Sequence, residues 1–268
     1  MSEEMSEELL RIENLGKEFV LPGRASFWAV RNIDLAIHAG EVLGIVGESG
    51  SGKSTLGRLL LGLHAKSEGT VYFRGKHLPQ HYRRADFQRY AQSMQMVFQD
   101  PYGTLNPRLS IGESIAEPLL LSAKKSFRDR RLIDARVRAA LERVGLSANS
   151  ANRFPHEFSG GQRQRIGIAR ALIAEPQLLI CDEPVSALDV SVQAQIINLL
   201  AQLRRDMGLT IVLISHDLAV VRHLCDRIAV MQAGRMVELN ETEWLFAAPQ
   251  HDFTKKLLAA RMTKNADE

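Results

Sequence analysis

GESGSGKS occupies residues 47–54 and follows EVLGIV, residues 41–46, an apolar run that predicts a buried strand. The stretch meets the pattern G-x-x-x-x-G-K-[ST], in which a glycine-rich loop surrounds an anion with its backbone N–H groups. Lys53 offers a cation to the β- and γ-phosphates of a nucleotide, and Ser54 offers a hydroxyl to Mg²⁺. A helix predicted over residues 54–63 points the positive end of its dipole at the same phosphates. The stretch therefore predicts a phosphate-binding loop between a strand and a helix.

Two carboxylates follow a second short apolar run, QLLIC at residues 177–181. Asp182 and Glu183 thus stand at the C-terminal end of a predicted strand, where an open α/β sheet collects its ligand-binding groups. We expect Asp182 to hold Mg²⁺ through water and Glu183 to polarise a water molecule for attack on the γ-phosphate. The pair predicts hydrolysis of the bound nucleotide.

A second anion site is predicted by FSGGQ at residues 158–162, which opens an amphipathic segment over residues 163–174. Ser159, Gly160 and Gly161 are expected to leave bare N–H groups at a helix N-terminus. The chain's own nucleotide does not need this second site. Two phosphate sites in one chain therefore predict a partner.

Six motifs, in this order, resemble those of the ATP-binding cassette family, and the resemblance covers about residues 9–258. They are the Walker A loop (47–54), the Q-loop glutamine Gln99, the signature (158–162, with Phe158 in place of the usual leucine), Walker B (178–184), the D-loop (186–189) and the switch histidine His216. In that family the glutamine touches Mg²⁺ and the lytic water, and the histidine bonds the γ-phosphate. Phe19 occupies the position of the aromatic residue that stacks on adenine. Phe27 and Trp28 lie close by in sequence, so packing of Phe19 in the core stays open as the alternative.

The resemblance implies ATP and Mg²⁺ as cofactors, together with a full set of site residues. It assigns catalysis to Glu183, His216 and Gln99; nucleotide binding to Phe19, Gly47, Glu48, Ser49, Gly50, Ser51, Gly52, Lys53, Ser54 and Thr55; the partner's ATP to Ser159, Gly160, Gly161 and Gln162; the D-loop to Asp189; and the metal to Ser54, Gln99 and Asp182.

The order of patterns predicts an α/β phosphate-loop NTPase with a parallel-sheet core, an N-terminal antiparallel β subdomain and an inserted helical subdomain. Alternating residues over 9–19 and 29–37 predict the antiparallel strands, and apolar spacings of three and four with several prolines predict the helical insertion at about residues 101–157. We expect a disordered start at residues 1–8, the ATPase domain at residues 9–246, and a C-terminal element and tail at residues 247–268.

Composition excludes several classes of protein. A net charge of +3, from 34 basic and 31 acidic residues, implies no polyanion-binding surface, so we expect no nucleic-acid partner. Two cysteines without a C-x-x-C spacing exclude a metal site built from thiolates alone. The first ten residues, MSEEMSEELL, lack the apolar stretch of a signal peptide, and the longest apolar runs fall far short of the roughly 20 residues that cross a bilayer. If the protein works at a membrane, other chains must form the pore.

Four longer stretches resemble the oligopeptide, dipeptide and nickel permease branch of the family: residues 98–120, 182–200, 215–231 and 248–258. The last departs from the branch pattern at Asp252 and Phe253, where proline and tyrosine are usual.

The branch implies an ATPase subunit of a bacterial importer, peripheral on the cytoplasmic face of the inner membrane. Expected partners are two permease subunits, a second ATPase subunit that is a paralogue or a second copy, and a periplasmic or lipid-anchored solute-binding protein. A soluble cassette ATPase acting on nucleic acid or ribosomes, or an exporter ATPase, are the alternatives. The short, cysteine-free segment between Walker A and the signature argues against the first. The absence of a fused membrane domain and the branch-like residues 98–120 argue against the second.

Overall fold

The structure, a computed structural model, describes residues 7–20, 23, 25–121 and 129–262. Residues 1–6 of the predicted disordered start and residues 263–268 of the predicted tail lie outside the described residues. The strands in the described part are β1 (Glu8–Phe19), β2 (Phe27–His38), β3 (Val42–Val46), β4 (Glu68–Phe73), β5 (Lys76–His77), β6 (Met94–Val97), β7 (Leu178–Asp182), β8 (Thr210–Ile214), β9 (Arg227–Gln232) and β10 (Arg235–Glu241).

Helices occupy much of the remaining described chain. They are α1 (Lys53–Leu60), α2 (Arg84–Tyr90), α3 (Pro101–Thr104), α4 (Ile111–Leu121), α5 (Arg130–Arg143), α6 (Gly160–Leu172), α7 (Val190–Met207), α8 (Leu218–Leu224), α9 (Thr242–Ala247) and α10 (Asp252–Met262), with short 3₁₀ turns at Ala148–Asn152 and Pro155–Glu157. None of the helices in these described ranges is long and apolar enough to cross a membrane.

The chain divides into two compact units, one formed by the residues up to Tyr82 and from Thr210 onward, the other by Arg83–Leu209. In the first unit, β2, β1, β4 and β5 form an antiparallel sheet in that order. A second sheet places β3 between β8 and β9, parallel to both, and β10 runs antiparallel to β9. The antiparallel β subdomain and the parallel strands that the sequence predicts are both present.

The second unit pairs β6 with β7 in parallel and carries the helices α2 to α7. The predicted helical insertion, residues 101–157, falls in this unit. The central strands of both units are continuous apolar runs: every residue of β3, β7 and β8 is buried. A strand of a parallel sheet is covered on both faces, which is why these segments read as short hydrophobic blocks and not as alternating patterns.

The C-terminal element packs on the first unit even though two of its residues depart from the branch pattern. The Glu238 carboxylate of β10 accepts the backbone N–H groups of Gln250 at 2.9 Å and His251 at 3.0 Å, immediately before α10. Phe253 stands where tyrosine is usual and is still buried. Asp252 lies in the first turn of α10, where a negative charge is favourable. Both departures are therefore compatible with docking.

A buried lysine in the first unit makes the stability of the fold depend on pH. Lys66 is 4% exposed, its Nζ donates to the Leu78 carbonyl at 2.9 Å, and burial lowers its pKa from 10.5 to about 8. The folded state therefore penalises the charged amine in full below pH 8. Between pH 8 and 10.5 the unfolded chain binds the extra proton, so the stability of the protein rises with pH in that window.

We expect Lys66→Met to stabilise the protein by roughly 2 kcal/mol at pH 7.5, because the substitution removes that charge and keeps most of the side-chain volume. The advantage should shrink as pH approaches 10. Urea unfolding at a series of pH values measures it, with Lys255→Met, at an exposed lysine, as the control. A Lys66→Met advantage that does not change with pH would contradict the assignment.

Candidate functional site

The loop between β3 and α1 has a backbone path that only glycine permits at two positions. Gly47 has φ +151°, and a Cβ placed there would lie 2.1 Å from the Met231 carbonyl oxygen. Gly52 has φ +101°, and its Cβ would lie 2.2 Å from the Ala29 carbonyl oxygen. These contacts press the loop against β9 and β2. Gly47 and Gly52 are therefore required by the packing of the loop.

Lys53 is buried, with 5% of its surface exposed, and its ammonium group lies inside the loop. Its Nζ donates to the carbonyl oxygens of Gly47 at 2.9 Å and Glu48 at 2.7 Å, and lies 3.4 Å from the Ser51 hydroxyl. Glu48 thus contributes through its backbone. The lysine holds the loop closed around a positive charge, which prepares the loop for phosphate.

Helix α1 begins at this charge. Its N-cap is Gly52, no side chain caps it, and its first turn contains no acidic residue. The first N–H groups of the helix, at Lys53, Ser54 and Thr55, have no intrahelical acceptor. An anion at this point would meet both the helix dipole and the ammonium group.

His216 leaves the same sheet at the same edge as the loop. Strand β8 pairs with β3 in parallel, with Ile214 opposite Ile45, and the Ser215 N–H donates to the Ile45 carbonyl at 3.2 Å. Because parallel strands end on one side of the sheet, His216 and Gly47 emerge from neighbouring strand ends. The structure therefore places His216 and the loop at neighbouring strand ends, and the contact of His216 with the γ-phosphate stays a prediction.

Phe19 lies among aromatic and basic groups at the end of β1. Its ring stacks on that of Phe27, with centroids 5.6 Å apart, and meets His64 edge-on at 5.5 Å. Lys17 Nζ lies 5.0 Å from the Phe19 centroid. Burial and the charges of Arg58 and Lys17 lower the pKa of His64. The half-buried ring of Phe19 thus packs against Phe27, and its stacking on adenine stays a prediction.

Gln99, Asp182 and Glu183 converge in the second unit. Strands β6 and β7 are parallel with Val97 opposite Cys181, so Gln99 and the carboxylate pair lie just beyond adjacent strand ends. Gln99 Nε2 donates to Glu183 Oε2 at 2.9 Å. Asp182 is 2% exposed. The amide and the two carboxylates that the motifs select are therefore neighbours.

Glu183 has a backbone φ of +47°, in the left-handed region that residues other than glycine rarely adopt. Hydrogen bonds from the backbone N–H and hydroxyl of Ser186 to the Glu183 carbonyl hold the turn in place. Backbone strain of this kind costs on the order of 1–3 kcal/mol and collects at functional sites. The strained turn aims the Glu183 side chain at Gln99.

The signature forms a capped helix start. Ser159 Oγ accepts the Gln162 N–H at 3.3 Å, and Gln162 Oε1 accepts the Ser159 N–H at 3.0 Å. The Ser159 N–H, one of the three N–H groups that the sequence predicts to be bare, is therefore used by the capping box. Gly160 and Gly161 lie between Ser159 and Gln162, in the first turn of the helix. A Cβ on Gly161 would lie 2.4 Å from Val192 Cγ1, so the glycine also permits close packing of α7.

The D-loop aspartate caps α7 next to the signature. Asp189 Oδ1 accepts the Val192 N–H at 3.0 Å and the Ser191 hydroxyl at 2.8 Å. These bonds lower the pKa of Asp189. Leu188 lies against Gly160. The signature and the D-loop are therefore packed together in the second unit.

Two arginines of the second unit make contacts that the sequence does not predict. Arg170 on α6 donates to the Thr104 carbonyl at 2.9 Å and pairs with Glu117 at 2.8 Å. Arg153 lies over the Phe158 ring, with its Cζ 4.5 Å from the centroid. Neither arginine belongs to a known sequence motif. The one signal for Arg153 in the sequence is its spacing: Glu157 follows it by four residues and Phe158 by five.

Comparison with known proteins identifies the family. A family model described as ABC transporter matches residues 30–186. The oligopeptide transport ATP-binding protein OppF of Bacillus subtilis is 47% identical over 96% of this chain and 83% of its own length. OppF of Salmonella typhimurium is 50% identical over 96% of this chain and 78% of its own length.

Solved structures give the same result. The dimeric, post-hydrolysis ATP-binding cassette MJ0796 bound to ADP and Pi has a TM-score of 0.79 and 29% identity, covering 87% of this chain and 99% of that chain. The structure of cbiO1 from Clostridium perfringens has the same score and identity, covering 98% of this chain and all of its own. The predicted fold class is thereby confirmed. With these relatives across nearly all of its length, the chain belongs to the ABC transporter family, as an ATPase subunit.

Proposed function

We propose that this chain hydrolyses ATP to power the import of oligopeptides. The observation that carries the proposal is identity of about half to relatives described as oligopeptide transport ATP-binding proteins, over 96% of the chain. The packed phosphate loop and the Gln99–Glu183 pair add the chemistry that such a subunit needs.

The residues that we propose for the nucleotide are those of the loop and the first turn of α1, with Phe19 under the base. They are Phe19, Gly47, Glu48, Ser49, Gly50, Ser51, Gly52, Lys53, Ser54 and Thr55. Lys53 is already held in the loop by carbonyl oxygens, so its charge is in place before the phosphates arrive. His216 would bond the γ-phosphate from the neighbouring strand end.

A magnesium ion fits the donor set that the chain offers. Ser54, Gln99 and Asp182 provide a hydroxyl, an amide oxygen and a carboxylate, and Mg²⁺ prefers such oxygen ligands, several of them through water. When bound, the ion would neutralise phosphate charge and orient the nucleotide for hydrolysis.

Glu183 acts as the base in this proposal. Its carboxylate takes a proton from the attacking water, while the Gln99 amide holds that carboxylate by one hydrogen bond. The hydrogen bond from Gln99 restricts the Glu183 side chain, so less ordering remains for the reaction.

We further propose that the chain works as a nucleotide-sandwich dimer with a second ATPase subunit, either a paralogue or a second copy. Ser159, Gly160, Gly161 and Gln162 would contact the ATP bound by the partner, with Asp189 beside them. A cassette of the same fold was solved as a dimer. The assembly would sit on two permease subunits at the cytoplasmic face of the inner membrane and receive peptide from a solute-binding protein.

The permease contact is predicted at residues 99–108. This segment begins at Gln99 and leads into α4. Phe98, directly before this segment, and Leu120 and Leu121, at the end of α4, are apolar side chains exposed to solvent. We propose that they contribute to the contact, since exposed apolar patches mark interaction sites.

A cysteine at Arg108, an exposed residue of this segment, should crosslink to a cytoplasmic permease loop in membranes that contain the complete transporter. Leu105 is unsuitable because it is buried. Arg138→Cys, exposed on α5, is the matched control and should crosslink far less. Equal crosslinking at both positions, or crosslinks to soluble proteins alone, would contradict the transport role.

A further inference from the structure

The side chain of Arg153 binds both residues that directly precede the signature serine. Its Nε lies 3.2 Å from Glu157 Oε1, and its Nη2 donates to the Glu157 carbonyl at 2.8 Å. Its Cζ lies 4.5 Å from the centroid of the Phe158 ring. Because the guanidinium is planar, its edge can bind a carboxylate and a carbonyl while its face stacks on an aromatic ring.

The two residues that Arg153 holds are themselves fixed. Phe158 is 5% exposed, and its N–H donates to the Pro155 carbonyl at 3.2 Å. Glu157 Oε2 accepts the Phe154 N–H at 2.7 Å. This N–H and the Arg153 side chain lower the pKa of Glu157, so the carboxylate remains charged at cellular pH. The turn before Ser159 is therefore tied to one cation.

The backbone of Arg153 reaches a different element. Its carbonyl accepts the N–H of Ile111, the first residue of α4, at 2.8 Å. Reciprocal hydrogen bonds between Ser110 and Glu113 fix that helix start. Residues 99–108, the proposed permease contact, come immediately before it. One residue thus touches the start of α4 with its main chain and the signature turn with its side chain.

From this arrangement we propose that Arg153 is a positioning residue for ATP hydrolysis: it ties the signature turn to the start of α4, so that a shift of α4 moves Phe158 and Ser159. The proposal rests on the proposed function, in which Ser159 contacts the partner's ATP. Phe158, which replaces the usual leucine, supplies the ring on which Arg153 stacks.

The test uses the purified transporter complex with all its subunits. Arg153→Met keeps an unbranched apolar stem and removes the fork and the charge, so we expect kcat for ATP to fall about tenfold. The affinity of this chain's own phosphate loop for ATP, measured on the full chain alone, should stay within about twofold of wild type, because the contacts of Arg153 described above are made to the signature turn and to the start of α4. Arg153→Lys keeps a cation near the ring and should recover part of kcat.

A double-mutant cycle and a matched control complete the test. In a Phe158→Leu background the ring is gone, so Arg153→Met should cost only about threefold. Arg143→Met, an exposed arginine on α5 of the same unit, should leave kcat unchanged.

Three results would overturn the proposal: a normal kcat for Arg153→Met, a fall in ATP affinity that parallels the fall in kcat, or the same tenfold cost without the Phe158 ring. Failure of the proposed function would look different, because the wild-type complex itself would then hydrolyse no ATP.

Discussion

Glu183→Gln is expected to lower ATP hydrolysis by about 10²–10⁴-fold, the typical contribution of a general base, while ATP binding persists. The amide keeps the shape of the side chain and still offers an oxygen to Gln99 Nε2, which donates to Glu183 Oε2 at 2.9 Å in the wild type. Only the ability to take a proton from water is lost. With ATP and Mg²⁺ the nucleotide should then stay sandwiched, and the two ATPase subunits should run as a closed dimer in gel filtration.

Asp182→Asn is the matched control, since the neighbouring carboxylate is assigned to Mg²⁺ and not to proton transfer. It should weaken Mg²⁺-dependent nucleotide binding and yield no trapped dimer. A Glu183→Gln protein with normal turnover, or one that no longer binds ATP, would show that the roles of the two carboxylates are misassigned.

Lys53→Ala should reduce both ATP affinity and hydrolysis, with an affinity loss on the order of 10²-fold. The ammonium group bonds the carbonyls of Gly47 and Glu48, so its removal takes away the phosphate partner and the brace of the loop together. Isothermal titration with ATP and a phosphate-release assay measure the two effects.

The control for this lysine is Lys76→Ala, an exposed lysine on β5, which should change neither quantity. If Lys53→Ala retained wild-type affinity, the loop would bind phosphate through its backbone alone. The assignment of Lys53 would then be wrong.

The sequence predicted the strands and helices around the phosphate loop because their signals are local. The apolar run of β3 is visible in the sequence without knowledge of the strands that pair with it. Gly47 and Gly52 adopt backbone conformations that few other residues adopt. The order of the motifs then placed Gln99 and Glu183 at neighbouring strand ends, where the structure joins them by a hydrogen bond.

The contacts that escaped the sequence analysis depend on tertiary geometry. Arg153 stacks on Phe158, and the Glu238 carboxylate accepts the Gln250 N–H. Hydrophobic periodicity in the sequence does not predict contacts of this kind. The capping box at Ser159 was readable in principle, since serine with glutamine three residues later is a known helix start. The same residues also match an anion site at a helix N-terminus, so the pattern alone does not separate the two roles.

Strand β7 carries a cysteine, Cys181, directly before Asp182. Burial, followed by the charge of Asp182, raises the pKa of this thiol to about 12, and the side chain is fully enclosed. Oxidants and alkylating agents attack the thiolate, and a side chain with no exposed surface is closed to them. Cys181 is thereby shielded from sulfenic acid formation, so we expect this thiol to stay unmodified when the folded protein is treated with an oxidant or an alkylating agent, as mass spectrometry would show.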